Sequence, residues 1–318
     1  LPGAGTQSPT RVFLLLVSVM HIYCSGLSTN QEGNMNSQPI LSLQSVCKSY
    51  GTIKAVSDIS LDIPKASIYG FLGPNGAGKT TTIRSIMGIL LYDSGEILID
   101  GQPLTRDQLD RVGYLPEERG LYRKMKCLDQ LVFLAELKSV PKQVAKIRAE
   151  AWLERLDLSE WADKKVDALS KGMQQKIQLA ATFLPEPELV ILDEPFSGLD
   201  PLNIELLRNI ILEERDNGCT IIFSTHILAE AEKICDSICL IEGGNKILDG
   251  NLEKIRKEYP LKTVKVIYHN DETPPDNLPG VENMELKDGI WKLAITSGTD
   301  TDLLLDKLRE TGSVDLFS

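Results

Sequence analysis

Between Gly73 and Thr80 the chain reads Gly-Pro-Asn-Gly-Ala-Gly-Lys-Thr, with a lysine and a hydroxyl directly after three spaced glycines. Residue types in this order suit a polyanion. Backbone N–H groups can close on phosphate oxygens, the Lys79 ammonium can reach β- and γ-phosphates, and the Thr80 hydroxyl can ligate Mg²⁺. Further on, Asp193 and Glu194 stand side by side after the apolar run Leu189-Val190-Ile191-Leu192. Two adjacent carboxylates are costly to hold together unless a cation is present. Asp193 is therefore expected on Mg²⁺, and Glu194 beside an attacking water. A second apolar run, Thr220-Ile221-Ile222-Phe223, leads through Ser224 and Thr225 to His226, a candidate γ-phosphate contact. Together these residues imply binding and hydrolysis of a nucleoside triphosphate.

Such groups must be carried by a frame. Ser67 to Leu72 reads as a short apolar strand before the glycine loop, and Ile83, Ile86, Met87, Leu90 and Leu91 recur afterwards at helical spacing. Strand, loop and helix in that order aim a helix N-terminus at an anion. Runs 189–192 and 220–223 are continuous and apolar, as in strands buried on both faces of a parallel sheet. Upstream, Leu41 and Leu43, then Ile59, Leu61 and Ile63, alternate with polar residues and predict two half-buried strands. Ile97 to Ile99 predicts another strand turning at Asp100-Gly101, and Val112 to Leu115 one more.

Residues 127–162 read as amphipathic helices interrupted at Pro141. Leu128, Leu131, Val132 and Ala135 form one stripe, and Val144, Ile147, Ala151, Leu153 and Leu156 the next. Ser170 is placed to cap a helix with an apolar stripe of Met173, Ile177, Ala180, Ala181 and Leu184.

The 318 residues carry a net charge of −11, which supplies no broad basic surface and argues against a nucleic-acid partner. Six scattered cysteines read as reduced thiols; Cys235 and Cys239 lack the other ligands of a zinc site. The first 34 residues fit nothing that follows. Arg11, an apolar run from Val12 to Val19 and small residues at 24–26 resemble a secretory signal. The reading adopted is a start at Met35, with a genuine amphipathic or membrane anchor as the alternative.

The motifs, in this order, resemble the ATP-binding subunits of ABC transporters from about Leu41 to Asn251. The resemblance implies an α/β fold of the P-loop ATPase kind, with an antiparallel β subdomain and a helical subdomain. It places ATP on Gly73, Pro74, Asn75, Gly76, Ala77, Gly78, Lys79, Thr80 and Thr81, with Tyr50 stacked on adenine. Thr80, Asp193 and Glu117 would hold Mg²⁺; Glu194, His226 and Lys79 would serve hydrolysis. Ser197 to Asp200 falls at the family's D-loop. Leu169 to Gln175 falls at the family signature, where Lys171 and Met173 depart from the usual LSGGQ and Ser170 and Gly172 keep its core. In a head-to-tail dimer, whether of like or unlike subunits, Ser170 and Gly172 would close over ATP held by the other subunit. Glu117 stands where most members have glutamine and adds negative charge beside the γ-phosphate. The wording Leu115 to Tyr122 is similar to the subgroup serving ABC-2-type exporters of the sodium- and drug-efflux kinds.

The tail fits that subgroup. Val264 to Val266 reads as a strand, Met284 and Leu286 alternate before an Asp288-Gly289 hairpin, and Trp291, Leu293 and Ile295 follow. A helix over Asp302 to Leu308 and a strand over Val314 to Phe317 complete a small α+β appendage. Family members usually carry a further short helix, which raises the expectation of truncation at Ser318. Three segments are thus expected: a non-globular extension over 1–34, an ATP-binding domain over 38–255 and the appendage over 262–318. The resemblance implies a separate polytopic membrane permease as partner and a peripheral place on the cytoplasmic face of the membrane. A non-transport ATPase module of the same family is the alternative.

Overall fold

The computed structural model describes residues 38–118, 120–258, 262–268, 273–275, 277–287, 289–296, 299–310, 312 and 314–317. The expectations for 1–34, Arg119, Asp288 and Ser318 lie outside them. The chain divides into two units, Leu1–Gly250 and Asn251–Ser318.

In the first unit, β1 (Leu41–Tyr50), β2 (Ile53–Ile63), β3 (Ile68–Leu72) and α1 (Lys79–Ile86) come first. They are followed by β4 (Ser94–Ile99), β5 (Gln102–Pro103), α2 (Arg106–Leu109) and β6 (Val112–Leu115). Helices α3 (Cys127–Glu136), α4 (Lys142–Arg155) and α5 (Lys171–Phe183) lead to β7 (Leu189–Asp193) and α6 (Pro201–Asp216). Then come β8 (Thr220–Thr225), α7 (Leu228–Ile234), β9 (Ser237–Glu242) and β10 (Asn245–Asn251).

These strands make two sheets. One is four-stranded in the order β2-β1-β4-β5, antiparallel throughout. The other is six-stranded, β10-β9-β3-β8-β7-β6, with parallel pairing from β9 to β6. Every residue of β3, β7 and β8 is buried, the signature of strands covered on both faces. One continuous core joins the sheets: Leu41, Leu43, Ile59 and Ile63 from the antiparallel sheet meet Phe71, Ile191 and Ile241 from the parallel one, with Ile83 and Ile86 of α1 among them.

Two local expectations are corrected. The helix after the glycine loop stops at Ile86, so Leu90 and Leu91 are not on it; Leu91 is 81% exposed. Gly88 at φ 63° turns the chain out of the helix, a conformation glycine adopts without a Cβ penalty. On α4 the buried residues are Ala145, Ala149 and Leu153, while Val144, Ile147 and Ala151 are exposed. α4 packs on α3, and the face it buries is the one bearing Ala145, Ala149 and Leu153, so Val144 and Ile147 face outward.

The second unit contains α8 (Leu252–Glu258), β11 (Lys262–Tyr268), β12 (Val281–Lys287), β13 (Ile290–Ile295), α9 (Thr301–Arg309) and β14 (Val314–Phe317). Its sheet runs β12-β13-β11-β14, and Lys287 pairs with Ile290 across the hairpin that holds Gly289 at φ 77°. Val264, Val266, Leu293 and Ile295 pack against Leu304 and Leu308 of α9, a helix capped by the Asp300 carboxylate.

Candidate functional site

Parallel pairing brings three strand ends to one edge. Leu72 of β3 lies beside Thr225 of β8, and Ser224 beside Asp193 of β7. The glycine loop, His226 and the Asp193-Glu194 pair therefore emerge as neighbours. Leu115 of β6 pairs with Leu192, so Glu117 leaves the sheet at the same edge, exposed to solvent. The carboxyl edge of a parallel sheet is where open α/β folds bind ligands.

The loop is held from both sides by backbone. Ala77 N–H donates to Pro74 O at 3.1 Å, and Gly244 N–H to Ala77 O at 2.9 Å. Gly73 has φ 153°, and a Cβ there would lie 2.2 Å from Ile241 O. Only a residue without a side chain fits. Gly76, at φ 80°, has no protein atom within 4 Å of such a Cβ. The tip formed by Pro74, Asn75 and Gly76 is open, whereas Ala77, Gly78 and Lys79 are buried.

Lys79 opens α1 and is 6% exposed. Its Nζ donates to Gly73 O at 2.7 Å and Pro74 O at 3.2 Å, curling the ammonium back over the loop. Burial lowers its pKa from the ordinary lysine value, against the opposing pull of Glu194, Asp193 and Glu117. Thr80 and Thr81 follow in the first turn, half-buried.

Oε1 of Glu194 lies 3.9 Å from Nζ of Lys79, and Nδ1 of His226 donates to the same oxygen at 2.9 Å. Glu194 has φ 51°, a left-handed conformation that costs a non-glycine residue about 1–3 kcal/mol. Its N–H donates to Ser224 O at 3.1 Å, and its carbonyl accepts from Ser197 N–H at 3.1 Å. Both ends of the strained residue are thereby fixed.

Asp193 is fully buried. Its Oδ1 accepts from Ser224 Oγ at 2.9 Å, and among the described residues Oδ2 has no partner. A buried, unpaired carboxylate oxygen calls for a cation. Mg²⁺ fits this donor set, since it takes one or two carboxylates with water and phosphate oxygens completing its shell.

Elsewhere the predicted residues are placed by local contacts. Ser170 caps α5, its Oγ accepting from Met173 N–H at 3.3 Å. Gly172 faces Leu199 and Asn203, each 3.5 Å from where its Cβ would stand. Gly172 thus lies beside Leu199 of the Ser197-to-Asp200 turn and Asn203 of α6. Tyr50 ends β1, 52% exposed, with Lys48 Nζ 5.8 Å from its ring centre.

Three side chains given no individual role by the motifs belong to this edge. Gln175 on α5 donates to Pro195 O at 3.0 Å, directly after Glu194. Gln178, one turn later, donates to Pro116 O at 3.3 Å and so holds the loop bearing Glu117. Glu230 accepts from Thr225 Oγ1 at 3.4 Å, beneath His226. Their spacing on α5 and α7 is visible in the sequence, but their targets are not.

A family model described as "ABC transporter" matches residues 56–197. The "Uncharacterized ABC transporter ATP-binding protein YhaQ" of Bacillus subtilis is 45% identical over 233 residues, 73% of this chain and 78% of that protein. The "Lipopolysaccharide export system ATP-binding protein LptB" of Haemophilus influenzae is 32% identical over 231 residues, covering 71% and 96% respectively. A solved structure titled "Structure of ATP binding subunit of ABC transporter" superposes with TM-score 0.65 at 32% identity, covering 70% of this chain and 93% of that one.

Proposed function

Because this chain belongs to the ATP-binding proteins of ABC transporters, and is an ATPase of that family, we propose that it powers export through a membrane permease by ATP-driven head-to-tail pairing with a second ATP-binding subunit, of the same or a different chain. The observation carrying this reading is the cluster at the sheet edge: Lys79, Glu194 and His226 meet around a single carboxylate oxygen. Hydrolysis of a γ-phosphate needs a cation on the phosphates, a base for water and a further polar contact on the transferred group. Lys79 supplies the first, Glu194 the second and His226 the third.

The loop from Gly73 to Gly78, with Thr80 and Thr81, binds the phosphates, and the exposed ring of Tyr50 stacks on the base. Thr80, Asp193 and Glu117 would hold Mg²⁺, which when bound neutralises charge developing on the phosphates. Glu194 takes a proton from water aligned with the γ-phosphate; its fixed, strained backbone keeps the carboxylate aimed. Ser170 and Gly172 close over the nucleotide of the other subunit, where the N-terminus of α5 favours an anion. Export is supported by the name of the LptB relative, a protein of a lipopolysaccharide export system, and by the wording of residues 115–122. The substrate itself is chosen by the permease.

Among the described residues no helix is long and apolar enough to cross a membrane. From its family role the chain is read as peripheral on the cytoplasmic face, docking near Glu117 and the helical block. An ATP-binding domain over 38–255 and an appendage over 262–318 complete the reading. The test is capture of tagged Glu194→Gln chain with ATP from detergent-solubilised membranes of the native host. Co-purification of a polytopic membrane protein is expected. Recovery of soluble proteins alone under several detergents would contradict the transport role.

A further inference from the structure

We propose that Glu230 is a positioning residue for His226, fixing the turn that carries the imidazole through the hydroxyl of Thr225. The proposal rests on the reading of Glu194 and His226 as groups that meet the reacting phosphate. Its basis is the bonding around one buried oxygen. Thr225, the last residue of β8, is 1% exposed, and its Oγ1 donates to Oε2 of Glu230 at 3.4 Å. The same Oγ1 accepts from Ile227 N–H at 3.1 Å. A hydroxyl has one proton to give, and the Glu230 carboxylate settles where it goes. With the proton held there, a lone pair faces Ile227 N–H, and the two residues flanking His226 are tied to each other.

Glu230 is itself anchored, its N–H donating to Ile227 O at 3.1 Å. The turn from 225 to 230 is thus closed by one side-chain and one backbone bond on either side of Ile227. His226 projects from it, 43% exposed, and reaches Glu194 at 2.9 Å. Without the acceptor at 230 the hydroxyl can rotate and the imidazole loses a fixed base, although no atom of the sheet moves. Burial raises the pKa of Glu230, helped by the field of Glu194, while Thr225, His226 and Arg208 pull it down. The carboxylate thus lies within the electrostatic reach of the site while standing behind the turn. An error of an ångström in a reacting group can lower a rate by about a hundredfold.

The experiment measures ATP turnover and ATP affinity of the full chain in Glu230→Ala, Glu230→Gln, Thr225→Val, Thr225→Ser and His226→Ala. Glu230→Ala should lower kcat about tenfold or more while ATP affinity stays within about twofold, a split expected of a group acting after binding. Glu230→Gln, whose amide oxygen still accepts from Thr225, should recover kcat to within about threefold of the parent. Thr225→Val should match Glu230→Ala, Thr225→Ser should stay near the parent, and the Glu230→Ala/Thr225→Val double variant should be no worse than either single one, since both break the same link. If Glu230→Ala does not fold, the Thr225→Val and Thr225→Ser pair carries the same comparison. Parent-like kcat in Glu230→Ala or Thr225→Val, or a Glu230→Gln chain as impaired as Glu230→Ala, would overturn the proposal. Parent-like turnover in His226→Ala would instead overturn the reading beneath it.

Discussion

Nδ1 of His226 donates to Oε1 of Glu194 at 2.9 Å, across a sheet edge where the two residues lie 32 positions apart in the chain. The contact exists because β7 and β8 are parallel neighbours in register, with Asp193, the last residue of β7, beside Ser224, the penultimate residue of β8. It locks a carboxylate whose own backbone is strained, and it brings that carboxylate within 3.9 Å of Lys79. Carboxylate, imidazole and ammonium are therefore assembled by the sheet itself.

Lys79 answers to two opposing forces. Burial disfavours its charge, while Glu194, Asp193 and Glu117 favour it. Phosphates would add to the favourable side. Lys79→Ala is expected to weaken ATP binding at least about tenfold, the loss of a charge-assisted contact of about 1.5–3 kcal/mol. Its melting temperature should fall, because Gly73 O and Pro74 O lose their donor and Glu194 loses a neighbouring cation. Titration with a fluorescent ATP analogue and a thermal melt check both halves.

The two glycines at the ends of the open tip separate steric from conformational cost. Gly73→Ala places a Cβ 2.2 Å from Ile241 O at a positive φ, and should destabilise by about 3 kcal/mol or more. Gly76→Ala meets no protein atom within 4 Å and should cost about 1–2 kcal/mol, from backbone conformation alone. Urea unfolding of the two variants gives the comparison; equal losses would contradict the steric argument.

Buried thiols give the fold an alkaline limit. Burial pushes Cys127 up to about 11 and Cys219 up to about 12 from an ordinary value of 9.0, and raises Cys235 and Cys239 as well. Above pH 9 the unfolded chain releases these protons while the folded chain keeps them. The unfolded state then binds fewer protons, so stability falls as pH rises from 9 towards 11. Thermal melts across that range should show the fall, with a shallower slope in Cys127→Ala and Cys219→Ala than in the parent.

Much of this edge is legible in the sequence because its residues sit where one pattern changes to another. A continuous apolar run ending in Asp193-Glu194, and another ending before His226, mark strand ends without any knowledge of pairing. Ser170 before a 3.6-period stripe marks a cap in the same way. Other features depend on partners that periodicity does not encode. The stripe of α4 is misread because the buried face carries Ala145 and Ala149, while Val144 and Ile147 are exposed. The end of α1 is misread because the apolar spacing runs on through Leu91, past Gly88, whose left-handed conformation ends the helix. Gln175, Gln178 and Glu230 reach carbonyls and a hydroxyl on other elements, which only the tertiary arrangement specifies.

The measurement bearing most directly on the proposed mechanism is made on full-chain Glu194→Gln, with Lys79→Ala and Ser170→Ala introduced singly into it. ATP affinity, turnover and sedimentation are recorded with and without ATP and Mg²⁺. Glu194→Gln should bind ATP as the parent does, turn it over at least about a hundredfold more slowly, and sediment as a dimer with ATP. Lys79→Ala should shift that dimer to higher ATP concentration by weakening ATP binding, and Ser170→Ala should weaken the dimer while leaving binding intact. Parent-like turnover by Glu194→Gln would remove its role as the base, and a monomer at saturating ATP would remove the ATP-driven pairing.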